Sequence, residues 1–151
     1  YSIYHMKYKQ QEPTDWVVEE VHTESLEHPG YWVTRVLDGL PVGEFDALRA
    51  MLGLPVETLA AKVGLSTATL ARRRADKKPL DRDHGDRIIR YARLFWKTVD
   101  FFDGDEAAAR SWLVSAAPAL DGQTPLDFAE TEIGAREVED LIGRLEYGVY
   151  A

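Results

Sequence analysis

The sequence predicts an all-α protein, and two observations support that fold class. Apolar residues recur at helical spacings of three and four along most of the chain, with Gly and Pro between the periodic stretches. Ser, Thr and Asp side chains, which cap helices, stand directly before several of these stretches. A length of 151 residues fits one compact domain or two small ones around a shared core, and 45% hydrophobic residues supply that core.

The most informative stretch, residues 59–74, predicts two short helices joined by a tight turn at Gly64. Ser66 is expected to cap the second helix with its hydroxyl. The buried faces of the pair would come from Leu59, Val63, Leu65 and Leu70. This spacing is typical of a DNA-binding helix-turn-helix, although a plain solvated helical hairpin is the alternative.

The second helix of this pair is expected to enter a DNA major groove, where Arg binds guanine and Thr contacts a base edge or a thymine methyl group. Its exposed side would carry Thr67, Ala68, Thr69, Arg72 and Arg73. The predicted DNA-binding residues are Ser66, Thr67, Thr69, Arg72, Arg73, Arg74, Lys77 and Lys78.

Charge is distributed unevenly along the chain. Residues 1–71 carry 5 Lys and Arg against 10 Asp and Glu, residues 72–102 carry 10 against 5, and residues 103–151 carry 3 against 11. One basic band inside a chain of net charge −8 favours a local phosphate contact, with a different surface for another partner. A single basic helix on an acidic protein is the alternative.

Several further elements can be predicted in order along the chain. Residues 1–5 precede Met6 and are expected to derive from an expression vector, and residues 6–38 form an N-terminal arm of undecided structure. Helical spacing is visible from Tyr31, and Gly-Leu-Pro-Val occurs at 39–42 and again at 53–56, each time before a helical pattern. A long helix is expected over residues 83–102, with a core stripe formed by Ile88, Ala92, Phe95, Val99 and Phe102. Its Arg90, Arg93 and Lys97 either extend the phosphate contact or form a solvated face.

The C-terminal part predicts a helix that begins near Asp105, with Trp112 and Leu113 buried, and then two more capped helices. Thr124, Pro125 and Asp127 resemble a capping box, residues 131–134 are expected to interrupt the helix, and a final amphipathic helix then ends near Gly148. Residues 149–151 are apolar and aromatic, whereas a frayed end is normally polar. This tail is therefore expected to dock, either on its own core or on a partner.

Other classes of protein are disfavoured. No apolar run approaches the roughly 18 residues of a membrane span, and nothing resembles a signal peptide, so a cytoplasmic location without membrane contact is expected. The absence of Cys excludes disulfides, thiolate zinc sites and a cysteine nucleophile. The four His residues have no metal spacing, and no phosphate-binding Gly loop occurs. We therefore predict no catalytic residue, no metal, no cofactor and no enzymatic activity.

From about Gly39 to Ala151 the chain resembles the Xre/MbcA/ParS-like antitoxins, which pair with RES-domain toxins. The resemblance rests on the residues from Leu59 to Arg74, on Leu80 with residues 86–90, and on four C-terminal groups. These groups are Trp112-Leu113, Leu120 through Gly122 to Asp127, Thr131 with Gly134 and Val138, and residues 148–151. Two departures are visible, because Gly85 replaces a Ser or other polar residue and Asp121 replaces the first of two glycines.

The resemblance implies a type II antitoxin that binds its toxin, blocks the toxin's NAD-degrading active site and represses its own operon. It implies a Cro/Xre-like helix-turn-helix domain at 39–102, followed by a small helical toxin-binding domain at 103–151. The blocking role would fall to Leu145, Glu146, Tyr147, Gly148, Val149, Tyr150 and Ala151. The expected partners are the RES-domain toxin, operator DNA, a second copy of the chain and a larger hetero-oligomer with the toxin. A stand-alone dimeric repressor is the alternative.

Overall fold

The computed structural model describes residues 16–24 and 29–148, and every regular element within these ranges is helical. The nine α-helices in this part of the chain are α1 (Val17–Glu24), α2 (Pro29–Asp38), α3 (Val42–Leu52), α4 (Val56–Val63), α5 (Thr67–Asp76), α6 (Arg82–Phe101), α7 (Glu106–Leu113), α8 (Pro125–Phe128) and α9 (Glu132–Glu146). A 3-10 turn at Pro118–Leu120 connects α7 with α8. The predicted all-α fold is confirmed.

Some predictions concern residues outside this part of the chain. Residues 1–5, the arm before Trp16 and the tail Val149, Tyr150 and Ala151 lie outside the described residues. None of the described helices combines the length and apolar character needed to cross a membrane.

The helix boundaries follow from local chemistry that the sequence predicts. The Ser66 hydroxyl accepts a hydrogen bond from the Thr69 backbone N–H (3.0 Å), and Thr124 accepts one in the same way from Asp127 (3.1 Å). Gly64 ends α4 at a φ of +76°, a left-handed conformation that glycine adopts without a steric cost. A Cβ at Gly64 would also overlap the guanidinium of Arg87.

Helix α6 is the centre of the molecule. It packs against α1, α2, α3, α4, α7 and α9, so the predicted DNA-binding and C-terminal parts share one hydrophobic core. Ile88, Ala92, Phe95 and Val99 form its buried stripe as predicted, together with the fully buried Tyr91. Phe102, also expected in this stripe, follows the end of the helix and is half-buried. Burying such side chains supplies most of the favourable free energy of folding.

Helix α1 is the element that the sequence left undecided. Its first backbone N–H groups, on Val17 and Val18, donate to the carboxylate of Glu44 on α3 at 2.6 and 3.1 Å. A carboxylate at a helix N-terminus satisfies free donors and complements the helix dipole. Glu44 is fully buried, and burial raises the pKa of its carboxyl although these two hydrogen bonds oppose the shift.

The structure corrects three local expectations. Trp112, expected in the core, is only half-buried, whereas Leu113 is buried. The interruption expected at residues 131–134 lies earlier, because Thr131 caps α9 and Gly134 already belongs to it (Gly134 N–H to Thr131 Oγ1, 3.0 Å). In α2 the helical spacing is confirmed, yet Val33 and Leu37 are exposed and Trp32 is the buried residue.

Candidate functional site

Helices α4 and α5 form the predicted helix-turn-helix. Helix α5 packs against α4 and α3, and its single fully buried residue is Leu70. Thr67, Ala68 and Arg72 are exposed as predicted, whereas Thr69 is half-buried and its hydroxyl lies 2.8 Å from that of Ser66. The helix therefore presents a narrow face of small side chains and one arginine to the surroundings.

Two of the predicted DNA-binding arginines are held by acidic residues of the chain itself. Arg74 donates two hydrogen bonds to the carboxylate of Asp46 on α3, at 2.6 and 3.0 Å, and this contact raises the pKa of Arg74. Arg73 donates to the carbonyl of Pro79 (2.6 Å) and to the carboxylate of Asp81 (2.9 Å). Both arginines thus fix the C-terminal half of α5 on its neighbours. The pairing of Arg74 with Asp46 was not predictable from the local sequence, because the two residues lie 28 positions apart.

The remaining predicted cations near α5 are not tied up in ion pairs with described residues, although Arg72 donates a hydrogen bond to the Thr69 hydroxyl (3.5 Å). Arg72, Lys77 and Lys78 are exposed and form no ion pair with any described residue. Lys77 follows the last residue of α5 and has a left-handed backbone conformation with a φ of +53°. Lys78 comes next in the chain, so both lysines lie at the C-terminal end of the helix. Lys77 and Lys78, with the paired Arg73 and Arg74, line a cleft of about 430 Å³ beside the loop that precedes α3. This end of α5 offers positive charge to a phosphate backbone.

The three cations of α6 have different environments. Arg90 is largely buried and pairs with Glu132 of α9 (3.1 Å), and it also donates to the carbonyl of Glu130. Arg93 and Lys97 are exposed and line grooves shared with α1 and α9. Arg90 therefore binds the C-terminal part, and the other two cations face the same side of α6.

A second contact joins α4 to the C-terminal part. The Lys62 ammonium, whose side chain is 7% exposed, pairs with Asp127 of α8 and lies 3.4 Å from Glu130. This hydrogen bond from Lys62 lowers the pKa of the Asp127 carboxyl. Sequence patterning missed Lys62 as a functional residue, because its partners lie 65 and 68 residues away.

The C-terminal end of α9 contains the part of the predicted toxin-binding segment that the structure describes, residues 145–148. Leu145 is half-buried, Glu146 is exposed, and the ring of Tyr147 is 83% exposed. Gly148 follows with a φ of +66°. The helix is anchored through Val138, Leu141 and Ile142, which are buried, so Tyr147 is not needed for the core.

The described residues hold no metal-binding cluster, as no group of three or more His, Asp or Glu side chains comes together there. One polar group in the core stands out, because the fully buried Tyr91 hydroxyl has no hydrogen-bond partner, and burial raises its pKa. It lies inside α6 and lines none of the clefts described above.

Both parts of the structure match known protein families. Residues 32–93 match the family described as the antitoxin Xre-like helix-turn-helix domain, and residues 98–148 match the antitoxin Xre/MbcA/ParS C-terminal toxin-binding domain. Antitoxin Xre of Yersinia enterocolitica (serotype O:8 / biotype 1B) is 34% identical over 75% of this chain and 76% of its own length. Antitoxin Xre of Photorhabdus laumondii subsp. laumondii is 31% identical over 74% and 76%, respectively. The Prs ADP-ribosylating antitoxin of Sphingobium sp. (strain YBL2) is 25% identical over 75% and 76%.

These matches agree with the geometry, because the capped α4–α5 pair lies in the first range and the end of α9 in the second. Membership of an antitoxin family also agrees with the prediction that the chain is not an enzyme. The chain therefore belongs to the Xre/MbcA/ParS family of antitoxins, with a helix-turn-helix DNA-binding domain and a C-terminal domain that binds a toxin.

Proposed function

We propose that this antitoxin neutralises a RES-domain toxin by filling the toxin's NAD-degrading active site with residues 145–151. The observation that carries this proposal is the position of Tyr147, which is 83% exposed at the end of a well-anchored helix in the toxin-binding domain. An apolar and aromatic segment suits a concave, partly apolar nucleotide pocket. The Sphingobium relative is named a Prs ADP-ribosylating antitoxin, and ADP-ribosylation takes its ADP-ribose group from NAD, which supports a toxin that acts on NAD.

Acidic residues of α9 support the same proposal. Asp140 and Glu146 form no ion pair with any described residue, and the region from residue 103 onward carries 3 Lys and Arg against 11 Asp and Glu. Basic residues that hold the phosphates of NAD would pair with these carboxylates. The acidic end of the chain would then imitate the charge of the nucleotide that it displaces.

Removal of residues 147–151 tests the blocking role. The truncated chain should keep its fold and its operator binding, because α9 retains Val138, Leu141 and Ile142 in the core. Cells that co-express it with the toxin should nevertheless stop growing and lose NAD. Full neutralisation by the truncated chain would show that inhibition depends on another surface, and a loss of helical signal would show that the tail belonged to the core.

Two single substitutions, one as the test and one as the control, examine the same role. Val149→Asp places a charge in an apolar pocket and should release toxin activity, since an unpaired buried charge is costly. Ile133→Asp is its control, because Ile133 is 77% exposed at the opposite end of α9. Neutralisation that survives Val149→Asp as well as it survives Ile133→Asp would contradict the proposal.

We also propose that the chain represses its own operon as a homodimer on an inverted repeat. One recognition helix of ten residues buries too little surface for tight specific binding, and two-fold pairing doubles the contact. Thr67 and Arg72 would contact bases, and Lys77 and Lys78 would contact phosphates. Equal affinity for the operator and for a random duplex at moderate salt would contradict this role.

A further inference from the structure

We propose that the toxin-binding surface extends beyond the C-terminal domain into a groove between α1, α6 and α9, which receives an acidic segment of the toxin. This inference rests on the proposed neutralisation of a toxin by direct binding. The groove encloses about 270 Å³ and is lined by Val21, His22, Arg93, Trp96, Lys97, Asp100 and Glu139. We call it the α1–α6–α9 groove.

One wall of the groove is preorganised by contacts within the chain. The imidazole of His22 stacks on the indole of Trp96, with ring centres 4.5 Å apart and planes 10° from parallel. His22 Nε2 lies 2.7 Å from a carboxylate oxygen of Asp100, and the indole N–H of Trp96 donates to the carbonyl of Val18 at 2.8 Å. Side chains held in this way lose little conformational freedom on binding, which favours affinity.

The charges of the groove indicate the chemistry of its partner. His22 and Asp100 satisfy each other, whereas Arg93 and Lys97 form no ion pair with any described residue. Among the described lining residues, Asp100 and Glu139 are the acidic ones. Two exposed cations beside a half-buried tryptophan suit an acidic segment of a protein, since Arg and aromatic side chains are enriched at protein interfaces.

The groove is continuous with the region that binds the toxin. Lys97 and Glu139 also line a neighbouring cleft, whose other residues are Asp140, Gly143, Arg144 and Tyr147. This cleft leads along α9 to the exposed Tyr147 ring. A toxin that takes up residues 145–151 would therefore lie beside the groove, and α1 would be within its reach.

Helix α1 contributes to the groove from outside the two domains that match the family. Residues 17–24 lie outside both ranges that match the family, which are 32–93 and 98–148. A wall contributed by α1 would add contacts that the matched domains alone do not provide. We infer that α1 helps this antitoxin to discriminate its own toxin from related ones.

Two charge-reversed variants of the full chain test the inference. Arg93→Glu with Lys97→Glu should weaken binding of a catalytically inactive RES-domain toxin at least tenfold, as measured by isothermal titration calorimetry, and should leave operator affinity within about twofold. Lys77→Glu with Lys78→Glu is the matched control, because it changes the net charge equally and is expected to lose operator binding while retaining toxin binding. His22→Ala should weaken toxin binding without altering the helical signal.

The outcomes separate the two proposals. A wild-type chain that binds no RES-domain toxin would contradict the proposed function itself. A wild-type chain that binds, with the Arg93 and Lys97 variant binding equally tightly, would overturn only the role of the groove. Loss of operator binding by that variant with toxin affinity unchanged would also overturn it, and would assign both cations to DNA phosphates.

Discussion

Exchange of the charges of Asp46 and Arg74 should test how the recognition helix is held in place. The two hydrogen bonds of this pair, 2.6 and 3.0 Å long, join α5 to α3. Both side chains are about half exposed, and exposed ion pairs contribute about 0.2–1 kcal/mol. Because the contact is bidentate, we expect about 1 kcal/mol, so Arg74→Asp or Asp46→Arg alone should weaken operator binding about fivefold.

The double variant Asp46→Arg/Arg74→Asp should restore most of that loss if Arg74 acts by positioning α5. Operator affinity would be measured by fluorescence anisotropy at several salt concentrations, and stability by urea unfolding. If Arg74 instead neutralises a phosphate, Arg74→Gln should lower the salt slope by about 0.9, and the exchange should rescue nothing. A double variant that binds no better than Arg74→Asp would refute the positioning role.

Three further predictions follow from the same geometry. Arg72→Ala should cost about 1–3 kcal/mol of operator binding, whereas Lys78→Ala should weaken operator and random duplex alike and lower the salt slope by about one unit, both measured by anisotropy. Gly122→Ala should lower the free energy of unfolding by about 1 kcal/mol, because Gly122 has a positive φ that alanine adopts only at a steric cost. Gly64→Ala should lower it by about 1.5 kcal/mol more, because its methyl group would also displace the guanidinium of Arg87. Urea unfolding measures both values, and equal losses would contradict the role of the Arg87 contact. The pKa of the Glu44 carboxyl is raised in the folded state, so the folded protein takes up a proton more readily than the unfolded chain. Wild type should therefore gain stability relative to Glu44→Gln as the pH falls from neutral toward 4.5, the ordinary pKa of the carboxyl. A stability difference that does not change with pH would contradict this prediction.

Much of the fold could be predicted because helix boundaries depend on nearby residues. Ser66 and Thr124 cap helices through backbone groups three residues away, and Gly64 supplies a positive φ at its own position. The periodic stripe of α6 likewise indicates its buried face without knowledge of its neighbours. Local chemistry of this kind is visible in the sequence.

The orientation of side chains on those helices was harder to predict. The apolar spacing of α2 is helical, yet Val33 and Leu37 are exposed, because Trp32 occupies the side that faces the core. The position of α1 depends on Glu44, an acidic residue that a sequence pattern assigns to the surface. Each of these outcomes is decided by a contact with an element distant in the sequence.

The basic band at residues 72–102 shows how such distant contacts change the functional interpretation of a sequence. In the sequence it suggests a single phosphate-binding surface, since it carries 10 Lys and Arg against 5 Asp and Glu. In the structure eight of its ten cations fall into three environments, and the other two, Arg82 and Arg87, donate to the backbone carbonyls of Leu37 and Val63. Some are paired and fix helices, as Arg73, Arg74 and Arg90 do. Others form no ion pair with any described residue and lie on α5 or just after it, namely Arg72, Lys77 and Lys78. Arg93 and Lys97 are free in a groove on the side of α6 that carries α9. We therefore expect this acidic antitoxin to bind DNA through few unpaired cations, because the ion pairs of Arg73 and Arg74 fix α5 on its neighbours.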